Sequence, residues 1–139
     1  MSYHTIILVG NLGRDPEMRY TPGGQAVTNF SVAVDDSYTN SNGERVDRTI
    51  WIRVSTWGKL AETCNQYLAK GRRVLVEGRL TVDAATGGPR IWTRQDGTAA
   101  ANYEVTAQVV RFLSSRGETE EYQTSDSLGQ VSEEDEIPF

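Results

Sequence analysis

Apolar and polar residues alternate along most of the chain before residue 115, and this period of two predicts half-buried strands. The alternation is regular over residues 25–35, 49–57 and 102–113, where β-branched and aromatic residues favour strands over helices. Apolar runs at about 6–9 and at 72–80 bring the predicted strands to five. The residues predicted to share apolar faces are Ala26, Thr28, Phe30, Val32 and Val34, then Ile50, Ile52, Val54 and Thr56, then Tyr103, Val105, Ala107 and Val109.

Turn residues and one helical segment separate these strands. A Pro-Gly-Gly run at 22–24 lies between the first two strands, and Asn-Gly at 42–43 is a strong hairpin signal. A helical pattern runs from 59 to 70 and is closed by Gly71 as a left-handed cap. A short extra segment is predicted around 91–94. The residues predicted to share the apolar face of the helix are Leu60, Ala61, Cys64, Tyr67 and Leu68.

Three strands, one helix and two strands, in that order, predict an all-β, five-stranded OB-fold barrel with its α-helix between strands 3 and 4. Other small barrels also carry one helix, so the order by itself leaves the topology open. We expect the OB-fold domain to occupy residues 1–114. The composition then changes to few apolar residues, high charge and no periodicity, which predicts a disordered acidic tail over residues 115–139.

The third strand carries residues that its own core does not need. Because its even-numbered positions form the apolar face, Trp51, Arg53, Ser55 and Trp57 point to the opposite side. Large exposed aromatic rings usually mark a surface that another molecule covers. Single-stranded nucleic acid suits this surface, because bases stack on tryptophan and a guanidinium stacks or pairs with phosphate. The alternative is that both rings pack beneath a neighbouring hairpin or a second subunit.

Further candidate binding residues lie outside the third strand. Tyr38 and Trp92 fall in the two long hairpins, where an aromatic ring has little local core to join, although either ring could instead cap an end of the barrel. Arg72, Arg73 and Arg79 add positive charge around the fourth strand. A basic cluster alone is usually only a solvated face, and the interleaved aromatic residues favour binding here.

Charge divides the chain into two parts. The 139 residues carry a net charge of −5, yet up to residue 117 there are 14 basic and 11 acidic residues, a net charge of +3. Residues 118–139 contain eight carboxylates and no basic residue, a net charge of −8. A basic body with an acidic tail suggests nucleic-acid binding combined with recruitment of proteins. The tip, predicted to dock in an apolar pocket ringed by basic residues, consists of Asp135, Glu136, Ile137, Pro138 and Phe139.

Little in the sequence supports catalysis or metal binding. Cys64 is the only cysteine and His4 the only histidine, so an internal disulfide and a zinc site lack their ligands, and no nucleophile motif accompanies either residue. Cys64 is interpreted as a small buried hydrophobic residue rather than a nucleophile. The segment GNLGRDP lacks the lysine and hydroxyl of a phosphate loop, so Gly10 and Gly13 are assigned to a bulge or bend. We predict no catalytic residue, no metal and no cofactor.

No signal peptide is recognisable, and no apolar run reaches the ~18–20 residues of a membrane helix. We therefore expect a cytoplasmic location, in the bacterial cytoplasm and nucleoid or, for a viral protein, in the host cytoplasm.

Several motifs, taken in order, resemble the bacterial single-stranded-DNA-binding protein family over nearly the whole chain. The resemblance implies a homotetramer of OB folds that wraps and protects single-stranded DNA and presents its acidic tip to replication, recombination and repair proteins. Some members have histidine near the tetramer interface at the position of Ile52, tryptophan at that of Tyr38 and phenylalanine at that of Trp57. The motifs are ILVGNLGRDPEMRY at 7–20, GKLAE at 58–62, YLAKG at 67–71, VEGRL at 76–80 and DEIPF at 135–139.

Residues and resemblance together predict a non-enzymatic protein that binds single-stranded DNA independently of its sequence. One alternative is an OB-fold factor that binds RNA or another protein. Another is a small nuclease, which would need clustered carboxylates or a usable histidine. By the resemblance, the base-stacking rings are Tyr38, Trp51, Trp57 and Trp92, and the full set of predicted DNA-binding residues is Tyr38, Trp51, Arg53, Trp57, Arg72, Arg73, Arg79 and Trp92.

Overall fold

The computed structural model of the protein describes residues 1–113. The predicted acidic tail and its docking tip lie outside the described residues. Over residues 1–113, no helix is long and apolar enough to cross a membrane. The elements are β1 (Ile6–Leu12), β2 (Glu17–Tyr20), β3 (Ala26–Asp35), β4 (Tyr38–Thr39), β5 (Arg45–Val46), β6 (Thr49–Trp57), α1 (Lys59–Tyr67), β7 (Arg73–Leu80), β8 (Ile91–Thr93), β9 (Ala99–Ala101) and β10 (Tyr103–Phe112).

Five strands close into the predicted barrel, in the order β1-β7-β10-β6-β3. The strand β1 completes the ring, because Asn11 and Leu12 also pair with β3. The pair of β6 with β10 is parallel and the others are antiparallel. The helix α1 lies between the third and fourth barrel strands along the chain, so the all-β OB architecture is confirmed.

The barrel interior is built from the apolar positions of the alternating strands. Phe30, Val32, Val54 and Val76 belong to one buried cluster, to which α1 adds Cys64. A closed barrel of this size has room only for side chains, so the ligand surface has to lie on the outside.

Two polar residues within this core are hydrogen bonded to the backbone. The Oγ1 atom of Thr28 donates to the carbonyl oxygen of Ala61 at 2.7 Å, and Oγ1 of Thr56 donates to that of Thr28 at 2.9 Å. Both threonine side chains are fully buried. Because a buried hydroxyl without a partner costs free energy, these bonds explain how threonine occupies an apolar face, and the first of them fastens α1 to β3.

Two glycines allow barrel strands to approach closely. A Cβ atom on Gly10 would lie 2.3 Å from the carbonyl oxygen of Ala33, and one on Gly78 would lie 2.1 Å from that of Thr106. Gly10 occupies an unbroken register between β1 and β7, so of the predicted bulge or bend, the bulge is absent at this position. Glycine is required at this position because a side chain would clash with β3, and not because the backbone has a positive φ.

The helix α1 ends earlier than the sequence predicts. It ends at Tyr67, after which Leu68 adopts an extended conformation. The backbone N–H of Lys70 donates to the carboxylate of Asp15 at 2.8 Å, so a tertiary bond takes the place of further helical bonds. Gly71 does have a positive φ of 88°, but in the turn before β7, and its assignment as the helix cap is wrong.

Three residues predicted on apolar faces lie elsewhere. Tyr103, at the start of β10, is 70% exposed. Tyr67 is more than half exposed, and its ring lies 6.0 Å from that of Phe112. In β10 the register shifts between Ala107 and Val109, and Val110 packs against the core instead of Val109. An extra residue at a bulge moves the following side chains to the other face, so a period of two cannot continue through it.

Two short hairpins stand beside the barrel sheet. The pair β4–β5 turns at Gly43, with a φ of 83°, and confirms the Asn-Gly hairpin signal. The pair β8–β9 contains the extra segment predicted around 91–94. The strand β2, which was not predicted, pairs with β3, so the Pro-Gly-Gly run joins β2 to β3. The hairpins carry Tyr38 and Trp92.

Candidate nucleic-acid interface

The outer face of β6 carries two tryptophans that the barrel leaves uncovered. Val54 and Thr56 point inward and are fully buried, whereas Trp51 and Trp57 remain 54% and 43% exposed. The two tryptophans are six positions apart, which places their Cα atoms about 20 Å apart along the strand. The exposed Arg53 lies between them on the same face. The structure therefore brings these three predicted residues together on one outward surface.

The ring of Trp51 lies close against the backbone of Gly13. A Cβ atom on Gly13 would lie 2.5 Å from Cζ3 and 2.8 Å from Cη2 of the indole. The N–H of Gly13 donates to the carbonyl oxygen of Ser31 at 3.1 Å, which fixes this backbone to β3. Gly13 thus provides a fixed surface for the ring, a role that the sequence reasoning missed because residues 13 and 51 meet only in the folded barrel.

An arginine lies over the ring of Tyr38 in the first hairpin. The Cζ atom of Arg48 is 4.9 Å from the centre of the ring. Two nitrogens of Arg48 donate to Oδ2 of Asp36, at 2.9 and 2.6 Å, and these hydrogen bonds raise the pKa of Arg48. The guanidinium is thereby fixed at the ring, and Tyr38 remains 45% exposed.

The second hairpin repeats this arrangement with Trp92. The Cζ atom of Arg94 lies 5.8 Å from the centre of the indole. One nitrogen of Arg94 donates to Oγ1 of Thr98 and to the carbonyl oxygen of Ala99, both at 3.3 Å. Trp92 is 47% exposed. A cation over an aromatic ring contributes about 0.5–1 kcal/mol at an exposed site, enough to orient a ring that has no core behind it.

An ion pair between an exposed arginine and a buried carboxylate fastens the loop before the second hairpin to the barrel. Glu104 of β10 is only 9% exposed, and its Oε1 accepts a hydrogen bond from Nη2 of Arg90. This bond raises the pKa of Arg90. In the parallel register of β10 with β6, the backbone of Glu104 lies beside that of Arg53. Because an unpaired buried carboxylate is costly, Arg90 holds the residues before Trp92 beside the β6 surface.

The predicted arginines of β7 have separate positions. Arg79 pairs with Thr106, which pairs with Ser55, so a row of residues leads from Arg79 to the β6 surface. The guanidinium of Arg79 also lies 5.9 Å from the ring centre of Tyr3. Arg73 is the first residue of β7 and pairs with Asn11 of β1, to whose Oδ1 its Nη1 donates.

Arg72, another of the predicted binding residues, contacts the C-terminal end of α1. Its Nη1 donates to the carbonyl oxygen of Tyr67 at 3.0 Å, where α1 ends. A cation is favourable at the C-terminal end of a helix, so this arrangement stabilises α1.

A polar cleft beside Arg53 contains residues that the sequence reasoning did not select. It is lined on one side by the loop and strand from Arg14 to Glu17, and on the other by Asn29 and Ser31 of β3. Asn29 and Ser31 could be assigned to the outer face of β3 from the alternation alone. Their meeting with residues 14–17 depends on the pairing of β2 with β3.

The described residues include no cluster of three or more metal-ligating side chains. Burial raises the pKa of the Cys64 thiol to about 11, and a hydrogen bond with Thr56 offsets part of this shift. The thiol is therefore protonated at neutral pH, in agreement with its interpretation as a core residue.

The fold and this surface define an OB-type barrel with exposed aromatic rings on the outside of its strands. Residues 3–113 match the family model described as the single-strand binding protein family, and the chain belongs to this family.

Curated relatives carry the same description. The chain is 42% identical over 118 residues to the single-stranded DNA-binding protein of Neisseria meningitidis serogroup A, a match that covers 85% of this chain and 64% of the relative. It is 37% identical over 131 residues to that of Wolinella succinogenes, covering 90% and 76%. The chain thus spans somewhat less than two thirds of the length of the Neisseria relative.

Solved structures agree with the barrel. A Plasmodium falciparum SSB in complex with ssDNA superposes with a TM-score of 0.66 at 26% identity, covering 81% of this chain and 96% of that one. A deletion mutant of the single-stranded DNA binding protein from Thermus aquaticus gives 0.62 at 31% identity, covering 82% and 52%.

Proposed function

We propose that the chain binds single-stranded DNA largely independently of the DNA sequence. We also propose that it protects this DNA during replication, recombination and repair. The observation that carries the proposal is the outward face of β6, where Trp51 and Trp57 flank Arg53. Membership of the family supports it, as does the likeness to a relative solved with ssDNA.

The energetics of such a surface favour single strands over duplex. Stacking contributes about 1–3 kcal/mol per base and does not depend strongly on which base is present. An unpaired strand can offer its bases to Trp51, Trp57 and the two hairpin rings, whereas a duplex keeps its bases stacked on one another. Contacts of arginine with phosphate add a term that weakens as salt is raised. We assign these phosphate contacts to Arg72, Arg73 and Arg79, whereas Arg53 contacts the DNA strand between the two tryptophans.

The direct test is a competition between single-stranded DNA, RNA of equal length and duplex DNA for the full chain. The proposal requires the single-stranded DNA to win. Preference for RNA would favour an OB-fold factor of another kind. Incubation of the bound DNA with magnesium tests the nuclease alternative, since the proposed non-enzymatic protein leaves the DNA intact.

A homotetramer is the proposed assembly. Large apolar side chains remain exposed on the outside of the barrel, among them Tyr3, Ile7 and Tyr103, and such surfaces commonly mark contacts between proteins. Ile52 is half buried and packs against the barrel core, so it is not itself an exposed contact. Light scattering at micromolar concentration should give the mass of four chains, and a monomer would contradict the assembly.

The division into an OB-fold domain at 1–114 and an acidic tail at 115–139 completes the proposal, with a cytoplasmic location. The tail carries −8 and is tethered to a body of +3, so it should compete with DNA for the basic surface. Tethering gives it a local concentration on the order of millimolar. Salt should weaken this competition, because charges are screened over ~8–10 Å at moderate ionic strength.

Two deletions separate the roles of the tail. Removing residues 118–139 should tighten DNA binding at low salt, with a smaller effect at high salt. Removing only Ile137, Pro138 and Phe139 leaves all eight carboxylates, so DNA binding should barely change while capture of replication, recombination and repair proteins is lost. Normal capture of these partners by the three-residue deletion would contradict the docking role of the tip.

A further inference from the structure

We infer that the polar cleft beside Arg53 binds the edge of a single base and prefers guanine. The inference rests on the proposed binding of single-stranded DNA and adds a local base preference to it. The cleft has a volume of about 140 Å³. Its lining residues are Arg14, Asp15, Glu17, Asn29, Phe30, Ser31 and Arg53.

The cleft lies on the path between the two β6 tryptophans. Arg53 is two residues from Trp51 and four from Trp57, and Ser31 is its direct partner on β3. The Cα atoms of the two tryptophans are about 20 Å apart, too far for adjacent nucleotides to stack on both rings. A strand stacked on both rings therefore has at least one nucleotide between them, and this nucleotide passes over the cleft.

The charges of the cleft fit a base better than a phosphate. Arg14 and Arg53 are matched by Asp15 and Glu17, so the formal charges cancel. A phosphate gains most from a site with excess positive charge. The edge of a base is neutral and offers donors and acceptors side by side, and this cleft offers both kinds of group in return.

Three of the four charged groups remain available for a ligand. Asp15 accepts the N–H of Lys70, whereas the carboxylate of Glu17 has no hydrogen-bond or ion-pair partner within residues 1–113. Within residues 1–113, neither Arg53 nor Arg14 forms an ion pair. A guanidinium without a counter-ion and an exposed carboxylate face the same cleft from different strands.

Among the bases, guanine can form the most hydrogen bonds with a guanidinium and a carboxylate placed in this way. Its O6 and N7 atoms accept two hydrogen bonds from one guanidinium, and its N1–H and N2–H groups can donate to one carboxylate. On β3, Arg53 pairs with Ser31 and Glu17 pairs with Asn29. Arg53 and Glu17 are therefore two strand spacings apart and offset by two residues, which places their Cα atoms roughly 12 Å apart. Two long side chains can span this distance to a base that lies over β3. Hydrogen bonds to charged groups are the stronger kind. Thymine has only one N–H donor for the carboxylate and no N7.

The test uses short oligo-dT in which one dG is placed at successive positions, competed against all-dT oligo for the full chain. We expect one position, or two adjacent ones, to bind about fivefold more tightly than dT, the lower end for a bidentate base contact. Deoxyinosine, which lacks the N2 amino group, and 7-deaza-dG, which lacks N7, should each lose part of this gain.

Glu17→Gln should lower the ratio of dG to dT affinity at that position, because only one of the two oxygens that accept from guanine remains. Glu62→Gln is the matched control, because it makes the same charge change on α1, outside the cleft, and should keep the ratio. Using the ratio removes any general effect of charge on DNA affinity.

Three results would be decisive. Normal oligo-dT binding with no gain from dG at any position would overturn the base preference and leave the proposed function intact. A dG preference that is undiminished in Glu17→Gln would also overturn it, because the Glu17 carboxylate would then play no part in recognising guanine. Failure to bind oligo-dT at all would instead remove the proposed function.

Discussion

The β6 tryptophans and the hairpin aromatic residues are held in place by different means. Trp51 and Trp57 alternate with Val54 and Thr56, which are fully buried, so the barrel core lies directly behind both rings. The hairpins belong to two-stranded sheets of two and three residues a strand. Hairpins of this kind are only marginally stable by themselves. The barrel core orders the rings of Trp51 and Trp57, whereas a neighbouring arginine orients each of the rings of Tyr38 and Trp92.

This difference bears on how much each ring contributes to binding. A ring that is already ordered loses little conformational freedom when a base stacks on it, whereas ordering a hairpin costs part of the stacking energy. We therefore expect β6 to provide the main contact, and the hairpins to adapt to the path of the strand and contribute less.

The largest effect should follow from disturbing the barrel itself. In Gly78→Ala the new Cβ would meet the carbonyl oxygen of Thr106, a backbone atom that cannot move away, so the free energy of unfolding should fall by about 3 kcal/mol or more. Gly88→Ala is the control, because its Cβ makes only ordinary contact with Thr86. Urea denaturation measures both. Equal stability of the two variants would contradict the closed barrel described here.

The next largest effect tests the β6 surface. Trp57→Ala should weaken oligo-dT binding by about 1–3 kcal/mol while the fold stays intact, because it removes one stacking ring. Fluorescence anisotropy measures the affinity, and circular dichroism the fold. Tyr67→Ala removes an exposed ring from α1 and should leave affinity unchanged. Unchanged affinity in a folded Trp57→Ala variant would remove Trp57 from the site.

A third variant tests whether the position of the Trp51 ring matters, and not only its presence. Gly13→Ala keeps Trp51 but places a Cβ where its indole lies, so the ring must move. We expect oligo-dT affinity to fall by about 1 kcal/mol, the lower range for one stacked base, without global unfolding. Wild-type affinity would mean that the position of the ring is unimportant.

The smallest effect should come from the hairpins. Trp92→Ala should weaken oligo-dT binding by less than Trp57→Ala, by about 1 kcal/mol or less, because the hairpin has to be ordered when the base stacks. The same anisotropy titration compares the two variants. A larger loss for Trp92→Ala would reverse the assignment of main and secondary contacts.

Much of the barrel could be predicted from the sequence because its signals are local. Alternation over β3 and β6 assigned Val32 and Val54 to the core and Trp51 and Trp57 to the outside, as the structure has them. Alternation failed at Val109, where a bulge inserts a residue that no local pattern marks.

The remaining features depend on contacts between residues far apart in the chain. The α1 helix was predicted too long because the bond between Lys70 and Asp15 is tertiary. Gly13 meets Trp51, and Glu17 shares a cleft with Arg53, only after β1, β2 and β3 have assembled around β6. Patterns along one strand cannot reveal such pairs, which is why part of the candidate site was missed.

The central claim, that bases stack on the outer face of β6, has one direct measurement. The chain has three tryptophans, so Trp92→Phe leaves Trp51 and Trp57 as the fluorescent reporters. Oligo-dT of increasing length is titrated into this variant, with anisotropy of labelled DNA recording binding in parallel. Emission should be quenched in step with binding. Saturated binding with unchanged tryptophan emission would show that the bases do not lie on β6, and would contradict the account.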